Sequence, residues 1–335
     1  MRKRIWLLAT CAMLASCGGG SGGTSTSSGS ATPTPSPATP TPTPGALTTG
    51  EVKPSAGAMF IAASMELTTT GDVAETNGII TGGTTSDRAT TFDTPAFSGA
   101  YDSSTGYSLS DSVNSAAFGR AQLSVDTTTR DGNGVVLFTR LGTVEDYLAL
   151  YQQTACSSSA KGSGCTTAQY GGTAGWQHTV VGASRRTRLD YFAYGSPTPV
   201  GAMPRSGVVK YSMLGSGNYA TNTDLWFLTS QSGNYITVDF AAGTVSGKLG
   251  LAGQNFFKNV SGGIGFIPLD GTFTGNSMSV AFPFASLGSS GGVPGRFHLV
   301  FVGPNANEVI VTYVAQDGTQ AAVGAAIGVI DPNIN

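Results

Sequence analysis

Tyr235-Ile236-Thr237-Val238-Asp239-Phe240 alternates along its length, with Ile236, Val238 and Phe240 on one face and Tyr235, Thr237 and Asp239 on the other. A side-chain period of two is the pattern of a strand with one buried face. Ala241-Ala242-Gly243 supplies a turn, and Thr244 to Leu251 returns. Ser277 to Phe282 alternates around Met278, Val280 and Phe282, and Gly295 to Val302 around Phe297, Leu299 and Phe301. Asn307 to Val314 alternates around Val309, Val311 and Tyr313, and Ala321 to Ile330 closes the series. Short strands with one apolar face each, joined by Gly-rich turns, predict an eight-stranded antiparallel up-and-down β-barrel over 206–330. A barrel of that size is filled by its own side chains, so the expectation is a packed barrel, not a pore.

Upstream, residues 51–205 read as a small β-rich domain with one helix. Gly57 to Ala62, Ala121 to Val125, Gly134 to Thr139 and Thr187 to Gly195 are strand candidates. Thr143 to Tyr151 is the predicted helix. Thr143 can cap it, and Val144, Tyr147, Leu148 and Tyr151 share a helical face. Arg185, Arg186 and Arg188 form a local basic cluster, read as a solvated strand end, with an anionic ligand or partner contact as the alternative.

The first residues set the compartment. Arg2, Lys3 and Arg4 precede an apolar run from Ile5 to Ala15, too short to span a bilayer as a mature helix. This is a signal peptide over 1–16. Leu14-Ala15-Ser16-Cys17 resembles the lipobox of bacterial lipoproteins, in which the Cys becomes the lipidated N-terminus. The thiolate of Cys17 is the nucleophile that takes up the lipid. Gly18 follows it, and in that class the absence of Asp there favours the outer membrane. Residues 17–50 carry the lipidated Cys and a tether, Gly/Ser-rich at first and then Thr-Pro repeats from Thr32 to Pro44. The Pro-rich part is semi-rigid and extended at about 3.1 Å per residue, on the order of 40 Å in all.

The chain has four Cys. Cys11 leaves with the leader and Cys17 carries lipid. Cys156 and Cys165 remain, and in an oxidising compartment they are expected to pair in a disulfide worth roughly 2–3 kcal/mol. A metal site there would have only His178 nearby in sequence and no CxxC spacing, so no metal and no cofactor is assigned.

Net charge is −2 and charged residues make up 11% of the 335, which leaves no field for nucleic acid. The sequence shows no H-E-x-x-H or phosphate-loop motif. His298 sits opposite Phe297, Leu299 and Phe301 in its strand and reads as a wall residue. The chain is therefore expected not to be an enzyme.

Three stretches carry a family resemblance. Met203-Pro204-Arg205-Ser206-Gly207-Val208-Val209-Lys210-Tyr211 looks like a Pro-x-Ser/Thr-Gly lead into a first barrel strand. Val238 to Leu249 is similar to a strand pair of the form VDFxxxTxSGxL. Phe301-Val302-Gly303-Pro304-Asn305-Ala306-Asn307-Glu308-Val309 looks like an FxGPNAxEV turn, the most specific of the three. In these the chain resembles the transferrin-binding protein B family of surface lipoproteins, over roughly 187–330. The resemblance implies one handle–barrel lobe, with residues 51–205 as the handle. It implies a surface lipoprotein that captures a ligand or host protein, often for iron or haem, beside a TonB-dependent transporter. A structural or adhesive surface protein without a solute-uptake role is the alternative. The physical reading of Gly303 to Glu308 is structural: Gly303 and Pro304 set a turn, Asn305 takes an unusual backbone angle, and Glu308 bonds to the turn's own backbone. Ligand-binding residues are not assigned by the sequence.

Overall fold

A computed structural model describes residues 54–331, apart from short stretches within that span. The signal peptide, Cys17 and the tether lie outside the described residues. Residues 47–335 form one compact unit.

The second half is an antiparallel ladder that comes back on itself. Val208–Thr221 pairs along its first part with Tyr235–Asp239 and along its last part with Leu225–Ser230. These two short strands run in the same direction and act as one broken strand, interrupted at 231–234. The ladder continues through Thr244–Asn255, Val260–Pro268, Ser277–Ser286, Val293–Val302, Glu308–Gln316 and Gln320–Ile330. Gln320–Ile330 then pairs with Val208–Thr221, from Tyr211 opposite Ile330 to Thr221 opposite Gln320. Counted with the broken strand as one, the ladder has the eight positions that the alternation predicts. Its thinnest described link joins Val260–Pro268 to Ser277–Ser286 through Gly265–Ser286 and Phe266–Ala285.

Side chains fill the interior. Ile236, Val238, Leu249, Phe297, Leu299 and Val311 are wholly buried there. Gly217 and Gly324 stand opposite each other across two strands, and the Tyr313 hydroxyl lies over both. A Cβ added at Gly324 would meet that hydroxyl at 2.2 Å, so glycine at this pair is what lets the tyrosine lie along the inner wall over the two neighbouring strands.

The first half is a sheet in the order Thr84–Arg88, Met59–Thr70, Arg185–Gly195, Gly171–Val180, Val144–Tyr151, Val135–Arg140, Leu123–Asp126. One face, with Ile61, Met65 and Leu189, packs on the outer wall of the barrel against Val300, Ile310 and Ile327. The other face, with Leu148, Trp176 and Phe192, is covered by a three-stranded sheet of Ser98–Asp102, Gly106–Ser110 and Ser115–Phe118.

Two sequence expectations change here. The helix expected over 143–151 is the strand Val144–Tyr151, paired on both edges. Its residues from Asp146 to Leu148 are all buried, and Leu150 with them. An apolar run buried on both faces can show helical spacing by coincidence, and two neighbouring strands decide the outcome. The helical segments among the described residues are two 3-10 turns, Arg120–Gln122 and Val200–Ala202. Second, the last three barrel strands are not apolar on one face alone. Val300, Val302, Ile310, Val323 and Ile327 point away from the barrel interior yet are buried, because the first sheet covers them.

Candidate functional site

The Gly303–Glu308 segment is where the two halves are clasped. Gly303 and Ala306 adopt positive φ, 86° and 54°. The left-handed residue after the proline is thus Ala306, not Asn305, whose N–H donates to Asn307 Oδ1 at 3.1 Å. The Tyr211 hydroxyl donates to the Ala306 carbonyl at 2.5 Å, which holds the strained residue from inside the barrel. Thr198, in the connection from the first half, donates its N–H to Phe301 O (2.9 Å) and its hydroxyl to Gly303 O (2.6 Å).

Glu308 does not bond to its own turn. It is 4% exposed, and its carboxylate crosses to the first half and accepts three successive backbone N–H groups. These are Gln169 at 2.5 Å, Tyr170 at 3.0 Å and Gly171 at 2.8 Å. Burial pushes its pKa up, while those three donors pull the other way. The signal that could have located the acceptor is the Gln169-Tyr170-Gly171 step before a strand, whose amides need a partner that no ladder supplies.

The basic cluster divides: Arg186 is solvated, as the strand-end reading expects, while Arg185 and Arg188 are held in ion pairs within the fold. Arg188 is buried, with Nε 2.9 Å from Asp111 and 3.2 Å from Asp190, and Nη1 3.2 Å from Glu66. Asp190 also accepts from the Ser64 hydroxyl. Burial pushes the Asp190 carboxyl up to about 6, against the pull of Arg188 and Ser64. Asp111 belongs to the turn after Gly106–Ser110, so Arg188 latches the covering sheet onto the sheet beneath. Arg185 pairs with Glu145 at 2.8 Å. Arg186 is exposed.

His178 donates or accepts at Nδ1, 2.8 Å from buried Asp146, which also takes the Trp176 indole N–H at 3.0 Å. His298 stands half-buried on the outer side of its strand, between Ser279 and Thr312 in register. No group of three or more His, Cys, Asp or Glu is placed to hold a metal among the described residues. A shallow cleft of about 730 Å³ lies over the covering sheet, lined by Ser98, Ala100, Ser108, Ser115, Ala117 and Arg140.

Cys156 and Cys165 stand directly opposite each other in a hairpin of Thr154–Ser159 and Gly162–Thr167. Residues opposed in an antiparallel pair have Cα atoms about 4.5–5.5 Å apart, inside the range a disulfide spans. We expect both thiols to resist alkylation in the native protein and to react after denaturation only when a reductant is added. Labelling of both without reductant would contradict the pairing.

On the barrel wall away from the first sheet, Tyr235 and Phe266 are exposed. The Lys210 ammonium lies 5.7 Å from the Tyr235 ring centre and that of Lys248 5.6 Å from the Phe266 ring centre. The alternation placed Tyr235 outward but gave no reason to join it to Lys248 and Phe266, which a hairpin register brings alongside.

The geometry defines a handle sheet clasped to a filled β-barrel. No family model matches the chain. No curated protein matches it either. Among solved structures, a double mutant of transferrin binding protein B from Haemophilus parasuis is 11% identical, over 84% of this chain and 78% of that one, with a TM-score of 0.36. The isotype 1 transferrin binding protein B of serogroup B Neisseria meningitidis is 13% identical, over 81% of this chain and 43% of that one, with a TM-score of 0.42. The haemoglobin receptor HpuA of Kingella denitrificans is 12% identical, over 84% and 90%, with a TM-score of 0.38. At these values the functional reading rests on the chain's own residues.

Proposed function

We propose that the protein is an outer-membrane lipoprotein, held at the cell surface through lipid on Cys17, that captures a ligand or host protein for iron, haem or other nutrient uptake alongside a TonB-dependent transporter. One observation carries the reading. The most specific family-like stretch, Gly303 to Glu308, forms the clasp between handle and barrel, so the residues that carry the resemblance serve the architecture it implies. The filled interior supports capture by outer surfaces, not within the barrel. On this reading the tether and the folded unit divide the work: residues 17–50 set distance from the membrane, and residues 51–330 recognise.

The test is growth of a deletion strain on defined iron sources, paired with affinity capture by the intact lipoprotein. The expected result is a growth defect on at least one protein-bound iron or haem source, and recovery of a TonB-dependent transporter. Normal growth on every source with no transporter recovered would overturn the uptake role and favour an adhesive one.

A further inference from the structure

The barrel has one wall that the handle leaves open. Among the described residues, the barrel strands expose four large apolar side chains, Val208 (60%), Tyr235 (47%), Val260 (45%) and Phe266 (41%). Tyr235 and Phe266 stand on the two strands either side of Thr244–Asn255, near its middle, while Val208 and Val260 lie toward opposite ends of the same wall. The handle packs on the other side, over Val293–Val302, Glu308–Gln316, Gln320–Ile330 and the last part of Val208–Thr221, and leaves the first part of that strand open. Lys210 and Lys248 lie among the exposed rings, each ammonium stacked over an aromatic face. The carboxylates of this region sit at the turns. Asp239 Oδ1 accepts the Ala241 and Ala242 amides, and Asp270 Oδ1 accepts that of Gly247. The wall thus offers rings and ammonium groups at its centre, with the acids tied down at the margin.

We infer that this wall is a docking surface for an anionic lipid headgroup layer. Half-exposed rings with flanking lysines are suited to a membrane interface. The ring's apolar body leaves water, its polar tip and the ammonium stay at the phosphates, and the lysine stem lies along the apolar surface. A second copy of the same wall would gather four lysines into one interface, which charge disfavours. The chain outside the described residues argues for lipid over a protein partner. Residues 18–53 reach roughly 120 Å at most when extended, so any face of the folded unit can come down on the bilayer that holds Cys17. The bilayer is then present at a high effective concentration, and a weak contact suffices. Such docking leaves the handle and its covering sheet turned to the medium. The inference rests on the anchored reading proposed above.

The experiment uses the full lipoprotein reconstituted in vesicles of phosphatidylglycerol and phosphatidylcholine. One nitroxide is placed by Thr237→Cys, which lies in register between Lys210 and Ser246, and another by Leu141→Cys in an exposed handle turn. Unsubstituted protein is the labelling blank. The expected result is protection of the residue-237 label from a water-soluble nickel chelate, with the residue-141 label fully accessible. Lys210→Glu with Lys248→Glu is expected to lower the docking equilibrium by at least roughly 30-fold, the loss of two ammonium charges alone, and to abolish the protection. Equal accessibility of the two labels in protein that floats with the vesicles would overturn the docking and leave the anchor intact. Protein that does not float at all would overturn the anchor, and the docking inference with it.

Discussion

Glu308→Ala is expected to destabilise the folded unit by about 3–5 kcal/mol, a large fraction of a typical domain's stability. The carboxylate is buried and is the acceptor for three consecutive amides at the start of Gly171–Val180. Its removal leaves donors facing a cavity between handle and barrel, and each unmade bond costs about 1–3 kcal/mol. Relaxation and entering water recover part of that sum. Glu308→Gln is expected to cost less, because one oxygen still accepts while the new NH2 group faces an amide donor. Urea midpoints at constant m-value measure both. A loss under ~1 kcal/mol for the alanine variant would mean that the clasp does not hold the two halves together.

Arg188→Met is the second large effect. It removes the guanidinium shared by Asp190, Asp111 and Glu66 and leaves two buried carboxylates facing each other. Breaking a buried pair in this way costs about 3–5 kcal/mol at pH 7. The sign of the pH dependence follows from Asp190. Its folded pKa is raised to about 6 from an ordinary value of 3.8. Its contribution to stability is therefore fully present below about pH 4 and is lost as pH rises through 6. Without Arg188 the carboxyl is pushed further up, so the variant is expected to recover much of its loss between pH 7 and pH 5. Asp190→Asn in the Arg188→Met background is expected to flatten that recovery. A loss that stays constant from pH 7 to pH 5 would contradict the role given to Asp190.

The barrel was legible in the sequence because its strands on the open side bury one face only. Ile236, Val238 and Phe240 point in and Tyr235 points out, as a period of two requires. Legibility ended where a second layer covered the first. Val144–Tyr151 is buried on both faces, so its spacing did not separate strand from helix. The basic cluster was visible as Arg185 and Arg188, but their partners Glu145, Asp111 and Glu66 are distant in sequence. Glu308 shows the same limit. Its side chain could be assigned a backbone acceptor role from the turn motif, but the amides it accepts lie at Gln169, Tyr170 and Gly171. Cys156 and Cys165 were paired by counting alone, and the hairpin register brings them face to face. The lysine–aromatic wall was missed because it is assembled across strands whose order the alternation does not specify.

A capture module that stands on lipid at Cys17 loses its membrane location, but not its fold, in Cys17→Ala. The measurement is cell fractionation of the variant beside the parent, with the folded state of the recovered protein checked by its urea midpoint. The parent is expected in the outer-membrane fraction and accessible to protease added to intact cells. The variant is expected to lose that location while its folded unit keeps the parent's midpoint. A variant that stays in the outer-membrane fraction to the same extent as the parent would contradict the account.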